Sequence, residues 1–195
     1  MKISPEQVKE LRSKTGVGMM EAKKALTEAA GDEVKAIEVL RKAGQKLTQK
    51  KAGRQAGEGV VGVYEHANQK VAAMVVLNCE TDFVARTDDF KNLAHDIAMH
   101  IAAAQPDYIK PEDVPNEILA KEKNIAEESS EIKGKPEKVV EKIVKGKLEK
   151  FYSEVCLMRQ PFIKDDAMTI AQLVEKAIAK LGENIQIREF TYLVI

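Results

Sequence analysis

Asn78-Cys79-Glu80-Thr81-Asp82-Phe83-Val84-Ala85-Arg86 is the stretch whose reading decides the fold. Before it runs Val71-Ala72-Ala73-Met74-Val75-Val76-Leu77, the most apolar segment of the chain, which reads as a largely buried β-strand. After it, Thr87-Asp88-Asp89 is a helix start signal. The helix it opens carries Phe90, Leu93, Ala94, Ile97, Ala98, Ile101 and Ala102 at i, i+3, i+4, i+7, i+8, i+11 and i+12, the cleanest amphipathic pattern present. A strand and a helix therefore hold between them a short loop in which one carboxylate, Asp82, stands beside one large aromatic, Phe83. The ring favours leaving water, while the charge resists burial unless it is paired. Chemistry alone leaves two readings. Either the ring folds back into the chain's own core and Asp82 starts a turn, or both side chains fit a partner's pocket.

Working outward, Val61, Val63 and Glu65 alternate with Val60, Gly62, Tyr64 and His66, and Ala67-Asn68-Gln69 is a turn, so the apolar strand is the second arm of a hairpin. A terminal strand over 185–195 completes a three-stranded antiparallel sheet; its apolar residues change parity between Ile187 and Phe190, which implies a bulge or burial on both faces. At the other end, Ser4-Pro5-Glu6-Gln7 is a capping box with proline at the first helical position. Helices follow with faces of Val8 and Leu11, then Ala22, Ala25, Leu26 and Ala29, then Ala36, Ile37 and Leu40, broken at residues 15–18 and at Gly31-Asp32. These make a small three-helix module over 1–53. Residues 46–59, basic and rich in Gly, Gln and Ala, read as a flexible, solvated linker, with an RNA contact as the alternative. The core domain then covers 54–195. Into it is inserted an antiparallel helical hairpin over about 116–156, from a charged helix ending near Glu131, a turn at Lys133-Gly134-Lys135-Pro136, and a helix whose stripe is Val140, Ile143, Val144, Leu148, Phe151 and Val155. The fold class is α+β.

Composition narrows the function. The formal net charge of +0 gives no overall pull towards nucleic acid or an anionic membrane, and 5% aromatics with no Trp weigh against a base-stacking surface. The start lacks the apolar core of a signal peptide, and the apolar strand is far too short to span a bilayer, so a cytoplasmic protein is expected. Cys79 and Cys156 have no metal-binding or CxxC spacing. The glycine-containing loop at 15–18 lacks the Lys-Ser/Thr ending of a P-loop and follows no strand. His95 and His100 are not at the i, i+4 spacing of a zinc helix. No metal, cofactor or direct nucleotide binding is expected.

Residues 78–86, set between that strand and that helix, resemble the hallmark of the elongation factor Ts family of bacterial translation. The resemblance runs over essentially the whole chain: Thr15-Gly16, Gly18, Lys23-Lys24-Ala25-Leu26, Gly31-Asp32 and Ala36-Ile37 near the start, then Ala98-Met99-His100-Ile101-Ala102. Gly134-Lys135-Pro136-Glu137-Lys138, Gln160-Pro161-Phe162-Ile163-Lys164-Asp165-Asp166 and Leu181-Gly182-Glu183-Asn184-Ile185-Gln186-Ile187-Arg188 continue it. The resemblance implies a guanine-nucleotide exchange factor, without enzyme chemistry of its own, that releases GDP from the GTPase elongation factor Tu. It implies that Asp82 and Phe83 enter the GTPase near its Mg²⁺ site, with Thr81 and Val84 fixing the loop. The first module is similar to ubiquitin-associated domains and by resemblance docks on the GTPase domain, which makes Gly16, Val17, Gly18 and Met19 weaker contact candidates. His66, similar to a hairpin histidine at the family's partner interface, is another. Longer members carry two copies of the sheet-and-helix unit and this chain carries one. It resembles the short form, in which two chains associate, and a lone sheet with one uncovered face needs a partner for the same reason. A homodimer without disulfides is expected. Two readings from other classes compete: a protein-binding adaptor that does not accelerate nucleotide release, and an enzyme using Cys79 with His66 or His100, which lacks any glycine-rich oxyanion turn.

Overall fold

In the computed structural model, which describes residues 3–129 and 135–195, local sequence signals set most element boundaries. The first helix, α1 (Pro5–Thr15), starts at the capping box: the Gln7 amide donates to Ser4 Oγ at 3.2 Å and the Ser4 amide to Gln7 Oε1 at 3.0 Å. It ends because Gly16 takes φ 73°, where its N–H reaches Arg12 O at 2.8 Å. Helix α2 (Met19–Glu28) follows, and α3 (Glu33–Lys51) starts at Asp32, whose side chain accepts from the Lys35 amide at 3.1 Å. Val8, Leu11, Ala22, Ala25, Leu26, Ala29 and Ala36 form one buried cluster among the three.

The linker expected over 46–59 is corrected by the structure. Helix α3 continues through Lys51, and that lysine is buried rather than solvated. Its ammonium donates to the Gly182 carbonyl, at the C-terminal end of helix α8 (Ile170–Leu181), where orphan carbonyls and the helix dipole both favour a cation. The aliphatic stem packs and the charge is satisfied, so basic composition here does not mean exposure. The irregular residues beyond are tied as well: Ala56 O accepts from Asn78 Nδ2 at 2.9 Å and Arg54 O from Asn184 Nδ2 at 2.8 Å.

Strands β1 (Glu58–Glu65) and β2 (Val71–Cys79) form the expected hairpin, closed by His66 N–H to Val71 O and Gln69 N–H to His66 O, each at 2.8 Å. A Cβ at Gly59 would lie 2.2 Å from Leu77 O, so only glycine lets β1 begin this close to β2. A four-residue helix α4 (Asp82–Ala85) and the long α5 (Asp88–Ala104) come next. All seven apolar positions read from the α5 periodicity are buried. Helices α6 (Asn116–Glu128) and α7 (Glu137–Val155) pack on each other; the end of the first near Glu131 and the turn at Lys133-Gly134 lie outside the described residues. Strand β5 (Gln186–Val194) closes the three-stranded sheet, ordered β1-β2-β5. The Ile195 amide donates to Lys70 O at 3.0 Å, so the end of β5 lies beside the start of β2 and the two are antiparallel. The parity change in β5 is real: half-burial shifts phase between Ile187 and Phe190, with Arg188 and Glu189 both exposed between them. The sequence reading missed a second, two-stranded antiparallel sheet of β3 (Pro161–Phe162) and β4 (Asp165–Thr169), strands too short to show a period.

Contacts divide the chain into two units. One comprises Met1–Val61, Val76–Ala94 and Gln172–Arg188, the other Gly62–Val75, His95–Ala171 and Glu189–Ile195.

Candidate functional site

In the first unit, residues 78–86 turn sharply between strand and helix. Thr81 is extended (φ −130°, ψ 155°) and caps the single turn of α4, its Oγ accepting from the Val84 amide at 3.4 Å. Thr87 closes the other side, donating to Val84 O at 2.8 Å and accepting from the Phe90 amide at 3.3 Å to start α5. Ala85 is buried and Val84 half-buried, which anchors the turn, while the Phe83 ring is 79% exposed. The inward reading of Phe83 is thereby excluded. Asp82 pairs with Arg86 at 2.8 Å across one helical turn; an exposed pair of this kind contributes about 0–1 kcal/mol, so a stronger partner can displace it.

The base beneath this apex is built from the segment after α8. Glu183 accepts three hydrogen bonds: the Glu80 and Thr81 amides each donate to Oε2 at 3.0 Å, and the Thr81 hydroxyl donates to Oε1 at 2.6 Å. The Asn184 amide in turn donates to Glu80 Oε1 at 2.7 Å, and the Arg54 guanidinium reaches the same carboxylate at 3.4 Å. That amide first, and Arg54 after it, hold the Glu80 carboxyl below the usual carboxylate range. Sequence reasoning quoted Glu183 and Asn184 only as part of a resemblance and gave them no role. Contacts across a hundred residues leave no periodic signal.

Cys79 is fully buried, donates to Thr81 O at 3.1 Å, and has its thiol pushed up to about 11, by burial first and then by the Glu183 charge. Such a thiol stays protonated at neutral pH and is a poor nucleophile.

Of the weaker candidates in this unit, Gly16 and Gly18 are exposed, Val17 is half-buried and Met19 is 47% exposed. The sequence reading stopped one residue short, since Met20 is more exposed still. His66 belongs to the second unit. It is exposed, its Nδ1 lies 3.0 Å from Tyr64 Oη, and Tyr64 meets the His95 ring edge-on at 5.7 Å.

His100, also in the second unit, is structural. It is buried, with Nδ1 accepting from the Ile163 amide at 3.3 Å, which makes Nε2–H the donor to Gln160 Oε1 at 3.0 Å. Burial holds its pKa below the ordinary 6.5. The unfolded chain then binds a proton that the folded chain refuses, so this stability is complete above about pH 6.5 and drains away as pH falls towards the folded value. Chemical denaturation from pH 7 to 5 should show the decline, with a shallower slope in His100→Gln; parallel slopes would contradict it. Glu80, whose folded value is depressed, adds its own loss only at lower pH, below its ordinary 4.5.

An exposed aromatic on an immobile base, with no nucleophile beside it, is the build of a contact point offered to another macromolecule. Comparison with known proteins gives the family. A family model described as "Elongation factor TS" matches residues 6–177. The chain is 55% identical over 188 residues to elongation factor Ts of Carboxydothermus hydrogenoformans, covering 96% of this chain and 87% of that one. It is 54% identical over 188 residues to elongation factor Ts of Moorella thermoacetica (96% and 93% covered) and of Thermosipho melanesiensis (96% of both). The chain belongs to the elongation factor Ts family.

Proposed function

We propose that this chain is a guanine-nucleotide exchange factor of translation elongation, which promotes GDP release from elongation factor Tu by inserting the Thr81-Asp82-Phe83-Val84 apex near the Mg²⁺ site of that GTPase. The observation that carries the reading is the Phe83 ring, 79% exposed on a turn that hydrogen bonds brace from both sides. Exchange requires that factor and GDP each weaken the other's hold on the GTPase by one coupling free energy; a factor that only bound tightly would trap its target. Mg²⁺ neutralises the phosphates, so disturbing its ligands frees GDP. Asp82, released from its surface pair with Arg86, brings the competing carboxylate, and Phe83 supplies the apolar anchor. The balance between GDP and GTP bound at equilibrium is set by the GTPase and the nucleotide pool. The factor itself makes and breaks no covalent bond.

In this reading residues 1–53 are a docking module similar to ubiquitin-associated domains, with the Gly16-Val17-Gly18-Met19 loop and neighbouring Met20 as its contact edge, and His66 makes a peripheral contact. The core over 54–195 associates as a cytoplasmic homodimer. Val63, Met74 and Leu193, exposed apolar residues on the strands of the second unit, support that association. Timing the release of fluorescent GDP from elongation factor Tu as this protein is titrated in tests the function. The rate should rise to a plateau; binding with an unchanged rate is what an adaptor would give.

A further inference from the structure

A four-residue helix cannot hold itself. One turn of α4 fixes several backbone dihedrals for one or two internal bonds, and helices this short are unstable without outside support. Phe83 gives none, since its ring is turned to solvent. The order of the apex must be imposed from its base, and the base converges on one side chain. We propose that Glu183 is the positioning residue of the apex. This rests on the exchange reading, and it says how the wedge is kept ready.

The geometry supports a single job for each oxygen of that carboxylate. Oε2 collects the two amides of residues 80 and 81, the last of the strand side before the turn, each at 3.0 Å. Oε1 takes the Thr81 hydroxyl proton at 2.6 Å, which turns the lone pairs of that oxygen towards the Val84 amide it caps. One acceptor thus fixes the entry direction of the chain and, through Thr81, the first turn of α4. Hydrogen bonds to an acceptor-only carboxylate are among the stronger ones. The clamp is reciprocal, because Glu80 holds the Asn184 amide at 2.7 Å. It is also anchored, since Asn184 Nδ2 holds Arg54 O and the Lys51 ammonium holds Gly182 O. Three consecutive residues, 182–184, each tie a different segment of the first unit. Without the Glu183 carboxylate the apex would sample many conformations, and ordering it during insertion would oppose exchange.

Glu183→Ala removes all three acceptors. Glu183→Gln keeps one oxygen for the amides and can donate its Nε2–H to Thr81 Oγ, so it restores position without charge. The experiment measures GDP release from elongation factor Tu for wild type, both Glu183 variants, Phe83→Ala, and the double variant Glu183→Ala/Phe83→Ala. Amide hydrogen exchange of residues 80 and 81 is read on the same full-length proteins. We expect Glu183→Ala to lose protection at both amides and to lower the plateau rate by about tenfold, with the half-saturating concentration within about twofold of wild type. Glu183→Gln should recover most of the plateau. In the Phe83→Ala background the same truncation should cost less than about twofold, since Glu183 acts through the ring.

An unchanged plateau, or full additivity in the double variant, overturns the proposal. If Glu183→Ala fails to fold, Glu183→Gln carries the test: protected amides with a near wild-type plateau support positioning, and protected amides with a lost plateau overturn it. The two readings separate cleanly. Wild type that accelerates release, with Phe83→Ala slow and Glu183→Ala normal, sinks this inference alone; wild type that leaves release unchanged sinks the exchange reading and this inference together.

Discussion

Phe83→Ala should slow GDP release at saturating protein by about ten- to a hundred-fold and leave the melting temperature within about 2 °C of wild type. The size follows from the ring. Moving a phenylalanine side chain fully out of water is worth about 1.5–3 kcal/mol. In the free protein almost none of that is realised, because the ring is 79% exposed. If it is realised only while the apex is inserted, the whole difference appears in the rate. Stability is spared for the same reason, since truncating an exposed side chain changes folding by no more than about 0.5 kcal/mol. Phe90, seven residues on and fully buried, is the internal control. Phe90→Ala should cost about 3–5 kcal/mol through the cavity it leaves, with exchange per folded molecule unchanged. Measuring unfolding and release on both variants decides the matter. A large stability loss in Phe83→Ala with normal release would return the ring to a structural role.

A fragment beginning at residue 54 should sediment as a dimer, stay folded, and need at least about tenfold more protein to reach half-maximal GDP release. The first three helices carry their own buried cluster, so their removal opens no hole in the helices that follow. The cut does strip Lys51 from the Gly182 carbonyl, but that carbonyl can turn to water once exposed. The Glu80, Glu183 and Asn184 bonds that brace the apex involve nothing before residue 54, so the plateau rate should survive and the concentration dependence should move. The expected loss is one of docking. An insoluble or monomeric fragment would count against both the domain division and the association proposed for the core.

The sequence was most legible where one short-range rule acts alone. The capping box at Ser4 and Gln7, the cap at Asp32, the hairpin, and the full buried face of α5 all follow from spacing within a few residues. It was least legible where the chain folds back on itself. Lysines in a Gly- and Gln-rich run read as a linker because nothing local reveals that Lys51 meets a helix end more than a hundred residues later. Strands β3 and β4 are too short to carry a period. At the site, the pattern located the apex but could not choose between an inward and an outward Phe83, since an aromatic beside a carboxylate satisfies either environment when suitably partnered. What turns the ring outward is the register set from below by Glu183 and Thr81, and that pairing is invisible without the fold.

The central claim is that this chain and GDP oppose each other on one GTPase, and reciprocity tests it without reference to any variant. The affinity of elongation factor Tu for GDP is measured with and without saturating amounts of this protein, and the affinity for this protein with and without saturating GDP. Both should weaken, by the same factor and by at least about tenfold, because a single coupling free energy governs the two. Equal affinity for GDP-loaded and nucleotide-free elongation factor Tu would mean a binding partner that exchanges nothing, and would contradict the account.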